Sequence, residues 1–219
     1  MCGRFIQARS GEVLAGQFGL RLPAGRAARY NVAPSQPVLG IRAVDGGREL
    51  AWLRWGLVPG WSPEPRSKYS TINARAETVA EKPTYRQAFR RRRCLIPADG
   101  FYEWRKMDGR KQPYCIGLTD GAPFAFAGLW ERWEREEQIV ESCTVLVTQA
   151  NQCIAQIHDR MPVILEPADY DAWLDPALQD AARLLPLLRP YPAERMTLWP
   201  VGSVVNRPSN EGIVLMTPV

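Results

Sequence analysis

Asp-Gly dipeptides at 45–46, 108–109 and 120–121 punctuate runs of apolar residues and constrain this chain more than any other local feature. Both residue types tolerate positive φ, which a two-residue turn requires, so the dipeptides predict tight hairpins and antiparallel neighbours. Strand signals recur over 38–44, 48–55, 94–97, 100–104, 112–118, 124–130, 142–148 and 162–165. Helical patterns, each opening near a capping residue or a proline, cover 10–18, 84–91, 150–157, 167–174 and 176–188. No internal repeat, low-complexity tract or long linker divides the 219 residues, and the proline-rich stretches 59–65 and 186–192 read as loops. The expected fold class is therefore α+β: one β-rich domain over residues 1–219, its strands mainly antiparallel.

Composition narrows the chemistry. No apolar run approaches the roughly 20 residues of a membrane-spanning helix, and MCGRFIQARSGE has no secretory h-region, so an intracellular, cytoplasmic protein is expected. Five cysteines, Cys2, Cys94, Cys115, Cys143 and Cys153, contain no CxxC pair, which fits a reducing compartment and disfavours a structural zinc site. A single histidine, His158, excludes catalytic metal sites built on two or three imidazoles, so neither metal nor other cofactor is expected. Lys plus Arg exceed Asp plus Glu by 28 to 23, and the pI near 9.1 leans towards an anionic partner such as nucleic acid.

A few positions carry reactive groups. Cleavage of Met1 would leave Cys2 with an α-amine and a thiol on adjacent carbons, titrating near pH 8 and 8.5, so each is partly nucleophilic at neutral pH. An aldehyde can meet both in turn, first as an imine and then as a thiazolidine ring. Taken alone, Cys2 also suits a small buried position on a first strand. In FYEW, Glu103 shares a strand face with Phe101 while Tyr102 and Trp104 face the other way; aromatic surroundings favour a proton-transfer role, and an edge position favours none. His158, in IHDRMP, stands on a loop that Pro162 ends, and is open to a catalytic or a structural reading. Asn73 and Arg75 in TINAR, and Asn31 in YNVAP, suit phosphate or sugar contacts as well as turn hydrogen bonds. The tryptophans Trp52, Trp55 and Trp61 offer stacking area or core packing. The run Arg90 to Arg93 ends a predicted helix, where cations complement the macrodipole, and reads as a solvated face.

MCGRF, YNVAPSQ, WGLVPGW, NARAET, RRCLIPADGFYEW, IHDRMPVIL and VVNRP occur in one order from residue 1 to about residue 207 and together resemble the SOS response-associated peptidase (SRAP) family. The resemblance implies a domain of twisted antiparallel strands with flanking helices and a basic groove for single-stranded DNA that contains abasic sites. It implies Cys2 as covalent nucleophile, Asn73 as the group that orients the cross-link, Glu103 as acid and base, and His158 as proton donor to the opening deoxyribose. It further implies Arg4, Arg75 and Arg160 as phosphate ligands, with Asn31 and Thr148 as additional DNA contacts. Pro34 and Trp61 would be the wedge and stacking platform that hold the strand open. A monomer is expected, associated with the nucleoid in a bacterium and lacking the C-terminal extension of the human member. Three further activities remain open: strand cleavage by an abasic-site lyase, thiol peptidase action in which Cys2 removes Met1, and reading of single strands without chemistry.

Overall fold

The computed structural model describes residues 2–20, 27–45, 47–67 and 69–219. In chain order the strands are β1 (Phe5–Gln7), β2 (Arg29–Val32), β3 (Pro37–Val44), β4 (Gly47–Trp55), β5 (Asn73–Arg75), β6 (Arg93–Ala98), β7 (Gly100–Met107) and β8 (Arg110–Leu118). They continue as β9 (Phe124–Arg135), β10 (Gln138–Gln149), β11 (Arg160–Pro162), β12 (Ile164–Leu165) and β13 (Met196–Pro200). Among the described residues four short helices flank them: α1 (Gly11–Phe18), α2 (Arg86–Arg91), α3 (Tyr170–Leu174) and α4 (Ala181–Leu184). The result is mostly β with few helical residues, as the spacing of strand signals and turns predicts.

The strands form two sheets. A small sheet runs β13-β8-β7-β1-β2, and a large one runs β11-β10-β4-β3-β6-β9-β12. The large sheet closes on itself, because β10 pairs with β4 on one side and with β9 on the other. Pairing is antiparallel except where β10 meets β4 and β5, both parallel. Side chains alternate between two cores along these strands. Leu53, Trp55, Cys94, Ile96, Cys143 and Val145 face the core shared with the small sheet, where Phe5, Phe101 and Ile116 meet them. Ile41, Leu95, Ala127 and Leu146 face the other core, which the helices cover with Phe18, Phe89, Trp173 and Leu184.

The Asp-Gly turns do different work. Asp108 and Gly109, at φ 25° and 80°, join β7 to β8 in a two-residue hairpin with Met107 opposite Arg110. The turn at 45–46 joins paired strands, with Val44 opposite Gly47, although Gly46 lies outside the described residues. Asp120-Gly121 is no hairpin: β8 and β9 belong to different sheets, and the turn carries the chain from one to the other. A hairpin without glycine joins β9 to β10, and Glu136 takes the left-handed conformation there at φ 52°.

Two helical expectations fail for geometric reasons. Gln149 and Arg160 are partners across β10 and β11, so the segment 150–159 must start and finish within a strand spacing. An eight-residue helix would run roughly 12 Å in one direction and leave two residues for the return. The chain instead makes one 3₁₀ turn, Ile154–Gln156, tied by Asn151, whose Oδ1 accepts from the Ile154 N–H at 3.0 Å. The expected helix 176–188 shrinks to α4 because Arg93 takes the carbonyls of Asp175 and Leu178. Helix begins only at Asp180, whose carboxylate caps the Ala182 N–H.

The same arginine corrects the reading of Arg90 to Arg93 as a solvated face. Arg90 and Arg91 are exposed, but Arg93 is 3% exposed, donates to five backbone carbonyls and stacks over Trp173. Burial depresses its guanidinium to about 10. The strands β1, β2, β5 and β13 escaped the periodicity analysis because each is three to five residues long and too short to show alternation.

Gly100 opens β7, the strand that carries Glu103. A Cβ there would stand 2.9 Å from the Ile116 carbonyl of β8 and 3.2 Å from the Ile6 side chain of β1. Since the nearest atom belongs to the backbone of a paired strand, Gly100→Ala should destabilise the protein by about 1–3 kcal/mol, read from a denaturant melt. An unchanged midpoint would refute this account of the β1-β7-β8 packing.

Candidate active site

The site grows from the placement of the N-terminus. β1 is inserted between β2 and β7, with Phe5 opposite Phe101 and Ile6 opposite Gly100. The Tyr102 N–H donates to the Arg4 carbonyl at 3.0 Å, so the antiparallel register continues past the strand's start. One further step sets Gly3 opposite Glu103, and Cys2 lies beside it. Cys2 is fully buried, packed in the core shared by the two sheets. Burial pushes its thiol far above the ordinary range, and the negative charge of Glu103 acts in the same direction.

The large sheet supplies the opposite wall. Asn73 opens β5, held parallel against Val145 of β10, and its Nδ2 donates to the Cys2 carbonyl at 2.8 Å. Its Oδ1 is buried and has no hydrogen-bond partner among the described residues. Glu103 is 3% exposed. The alternation predicted for FYEW holds, since Phe101 packs in the core that contains Cys2 while Tyr102 and Trp104 pack in a separate cluster.

A cavity of about 390 Å³ opens beside these groups, lined by Glu103 and Trp104 of β7, by Arg4, and by His158 from the loop before β11. Lys106, Lys111 and Asn206 complete its wall. Nδ1 of His158 lies 3.0 Å from the Arg160 backbone nitrogen and 2.9 Å from Oδ1 of Asp159. In the neutral ring the Arg160 N–H donates to Nδ1 and leaves the proton on Nε2; in the imidazolium form Nδ1–H donates to Asp159. Both forms carry a proton on Nε2.

The expected DNA contacts occupy several environments. Arg4 donates to Asn31 Oδ1 at 2.9 Å and to the Val205 and Asn206 carbonyls, and it stands 5.9 Å from the centre of the Trp104 ring. Burial lowers its guanidinium below the usual arginine range. Asn31 offers no surface to a DNA strand: it is 0% exposed, and its Nδ2 donates to the carbonyls of Val205, Arg207 and Asn210. It bears on the site by fixing Arg4. The end of β10 lies between Arg75 and Arg160, since Val147 is opposite Arg75 on one side and Gln149 opposite Arg160 on the other. Thr148 stands between them but is only 6% exposed. Arg75 is exposed, whereas Arg160 pairs with Glu77 at 2.5 Å.

Pro34 and Trp61 sit apart from this cavity and from each other. Pro34 lines a surface depression with Trp55, Gly56 and Ile72, and Trp61, 65% exposed, lines a neighbouring one with Pro59 and Thr84. Tyr69, 83% exposed, borders both. Sequence reasoning missed Tyr69, Trp104, Lys106, Lys111 and Asn206 as lining groups. Only Trp104, inside FYEW, and Asn206, inside VVNRP, carried a motif signal. Among the described residues no cluster of His, Cys, Asp and Glu is placed to hold a metal ion, and no helix is long and apolar enough to cross a membrane.

Comparison with known proteins places this arrangement. Residues 1–208 match the family model "SOS response associated peptidase (SRAP)". The chain is 43% identical over 215 residues to the abasic site processing protein YoqW of Bacillus subtilis, covering 96% of each chain. It is 32% identical over 227 residues to the abasic site processing protein YedK of Escherichia coli, covering both chains completely. A crystal structure of a protein from Bacteroides thetaiotaomicron superposes with a TM-score of 0.89 at 26% identity, over the full length of both chains.

The thiol environment has a measurable consequence. Alkylation requires thiolate, and the raised pKa keeps the thiolate fraction small at neutral pH. In protein that retains Met1, the alkylation rate of Cys2 should climb roughly tenfold per pH unit between about pH 7 and 10, without the levelling that an ordinary thiol shows near 8.5–9. Peptide mass spectrometry after iodoacetamide pulses reads the rate, and a plateau below about pH 9 would contradict the assigned environment.

Proposed function

Because the chain belongs to the SOS response associated peptidase (SRAP) family, we propose that it captures abasic sites in single-stranded DNA as a covalent adduct of Cys2. The names of its relatives, abasic site processing proteins, support the substrate class. The observation that carries the reading is the position of Cys2: its carbonyl held by Asn73, its thiol beside Glu103, and a cavity alongside that His158 and Arg4 share.

Met1 lies outside the described residues, and its removal is the first requirement, because an acylated nitrogen forms no imine. The freed α-amine attacks C1′ of the ring-opened deoxyribose, and the carbinolamine loses one water to become an imine. The Cys2 S–H then adds across the C=N bond, sulfur to C1′ and proton to nitrogen, closing a thiazolidine. Aldehyde and aminothiol thus give the ring and one water, with no oxidant or cofactor. His158 Nε2–H donates to the ring oxygen as the sugar opens, and Glu103 moves protons between the nitrogen, the departing water and the thiol. Asn73 holds the Cys2 backbone so that amine and aldehyde meet in one geometry. Arg75 and Arg160 hold flanking phosphates, which requires Arg160 to exchange Glu77 for phosphate. Pro34 and Trp61 keep the strand open, and Arg4 and Thr148 border it.

The raised thiol supports this order of events. A buried neutral thiol is a poor first nucleophile, whereas the amine is ordinary once freed and the imine it forms is the better electrophile. Peptide hydrolysis by Cys2 asks for thiolate at the start and is therefore the weaker reading, although autocatalytic removal of Met1 is a single turnover and tolerates a slow nucleophile. Lyase action is the same imine diverted to β-elimination when ring closure is slow.

Cys2→Ser keeps the amine and loses the ring-closing sulfur, so with abasic single-stranded DNA it should form a borohydride-trappable imine but no heat-stable cross-link. The wild-type protein lacking Met1 should give the stable cross-link on a denaturing gel. A heat-stable adduct formed by Cys2→Ala, or full activity in protein whose intact mass retains Met1, would overturn the assignment.

A further inference from the structure

The tip of the β7-β8 hairpin, residues 105–112, carries four cations, Arg105, Lys106, Arg110 and Lys111, against the single carboxylate of Asp108. No side chain of the four makes a hydrogen bond or ion pair among the described residues, whereas Arg42, Arg48, Arg92, Arg160 and Arg195 each reach a carboxylate. The register divides them. Lys106 is directly opposite Lys111 and shares its face with Trp104, two residues away and opposite Pro113. Arg105 and Arg110 stand opposite Gln112 and Met107 on the other face. Of the four cations only Lys106 and Lys111 are wall residues of the cavity, together with Trp104 on their own face and Glu103 on the other.

Directly opposed side chains on one face have Cβ atoms about 5 Å apart, where like charges destabilise the pair. Among the described residues no carboxylate bridges Lys106 and Lys111, which hold like charges side by side in the wall of the cavity that also contains Glu103 and His158. The hairpin is rigidly specified by its Asp108-Gly109 turn, and the Trp104 ring beside it is anchored through Nε1 to Asn206 Oδ1 at 2.7 Å.

We propose that Lys106 and Lys111 form a cradle for a backbone phosphodiester of the bound strand, on the small-sheet side of the cavity, in addition to the large-sheet contacts at Arg75 and Arg160. The inference rests on the single-stranded DNA reading above and extends it to a second phosphate site. Lys106 lies three residues along the strand from Glu103, roughly 10 Å, which at the 3.4 Å rise of stacked DNA is within about three nucleotides of the lesion. Lysine is suited to this task because a flexible point charge follows a phosphate whose position varies with the conformation of the strand. The strand is thereby held from both sheets, with the lesion between the two holds.

The test uses full-length protein and single-stranded DNA without an abasic site, so that binding is read apart from chemistry. Lys106→Gln/Lys111→Gln should weaken binding roughly tenfold at low salt and reduce the slope of log affinity against log salt by about 0.7 for each phosphate no longer neutralised. Arg105→Gln/Arg110→Gln removes the same charge from the opposite face and should leave the slope close to wild type. The cradle is refuted if the lysine variant keeps the wild-type slope, or if both double variants reduce the slope equally. Wild-type protein that shows no salt-dependent affinity for single strands would instead remove the parent reading along with the cradle.

Discussion

The pairing of a three-residue strand decides where Cys2 is held. β1 has few bonds of its own, yet both of its neighbours are fixed from elsewhere, β7 by its long hairpin with β8 and β2 by the bond from the Tyr102 hydroxyl to the Tyr30 carbonyl. A strand inserted between two others cannot slip by one residue without turning every side chain to the wrong face. Phe5 confirms the constraint from the packing side, since it stacks edge-on against Trp55 at 4.9 Å and Phe126 at 5.7 Å. With Phe5 locked in this way, Cys2 has one available position, against Asn73 and next to Glu103.

The two sheets divide the candidate site residues between them. The small sheet brings Cys2, Arg4 and Glu103, all on adjacent β1 and β7 or just before them; the large sheet brings Asn73, Arg75, His158 and Arg160 through β5 and β11, which flank the end of β10. A site built across the seam of two sheets gathers residues that are distant in sequence while keeping each on a hydrogen-bonded scaffold. The parallel β5-β10 pairing matters for the same reason: it lets a short segment present Asn73 at the seam and Arg75 at the rim within three residues. Arginines show how a basic chain partitions its charge. Arg93 is committed to five carbonyls in the core, Arg4 is half committed, and Arg75 is left to solvent.

Local pattern was most informative where elements are long. Strand signals of seven or eight residues located β3, β4, β8, β9 and β10, whose strands reach eight to twelve residues. Local pattern failed over 150–157, where apolar spacing fits a helix but the closure of Gln149 on Arg160 leaves no room for one. It also misjudged Arg93, whose neighbours in sequence are exposed and whose acceptors, Trp173, Asp175 and Leu178, lie some eighty residues away. Asn31 shows a related limit, since an amide in a loop-like motif reads as available, and only the folded positions of Val205, Arg207 and Asn210 reveal that its donors are occupied.

The sequence by itself determined the strand-rich architecture, the hairpin at Asp108-Gly109, the opposed faces of Phe101-Glu103 and Tyr102-Trp104, and the candidate reactive groups, because periodicity, turn chemistry and functional-group identity are local properties of the chain. Tertiary structure alone decided which of those groups meet. The burial of Cys2, its bond to Asn73, the shared cavity of Glu103, His158 and Arg4, and the facing of Lys106 and Lys111 towards it depend on strand order and register between two sheets. Those are set by the packing of residues up to two hundred positions apart, and no local pattern encodes them.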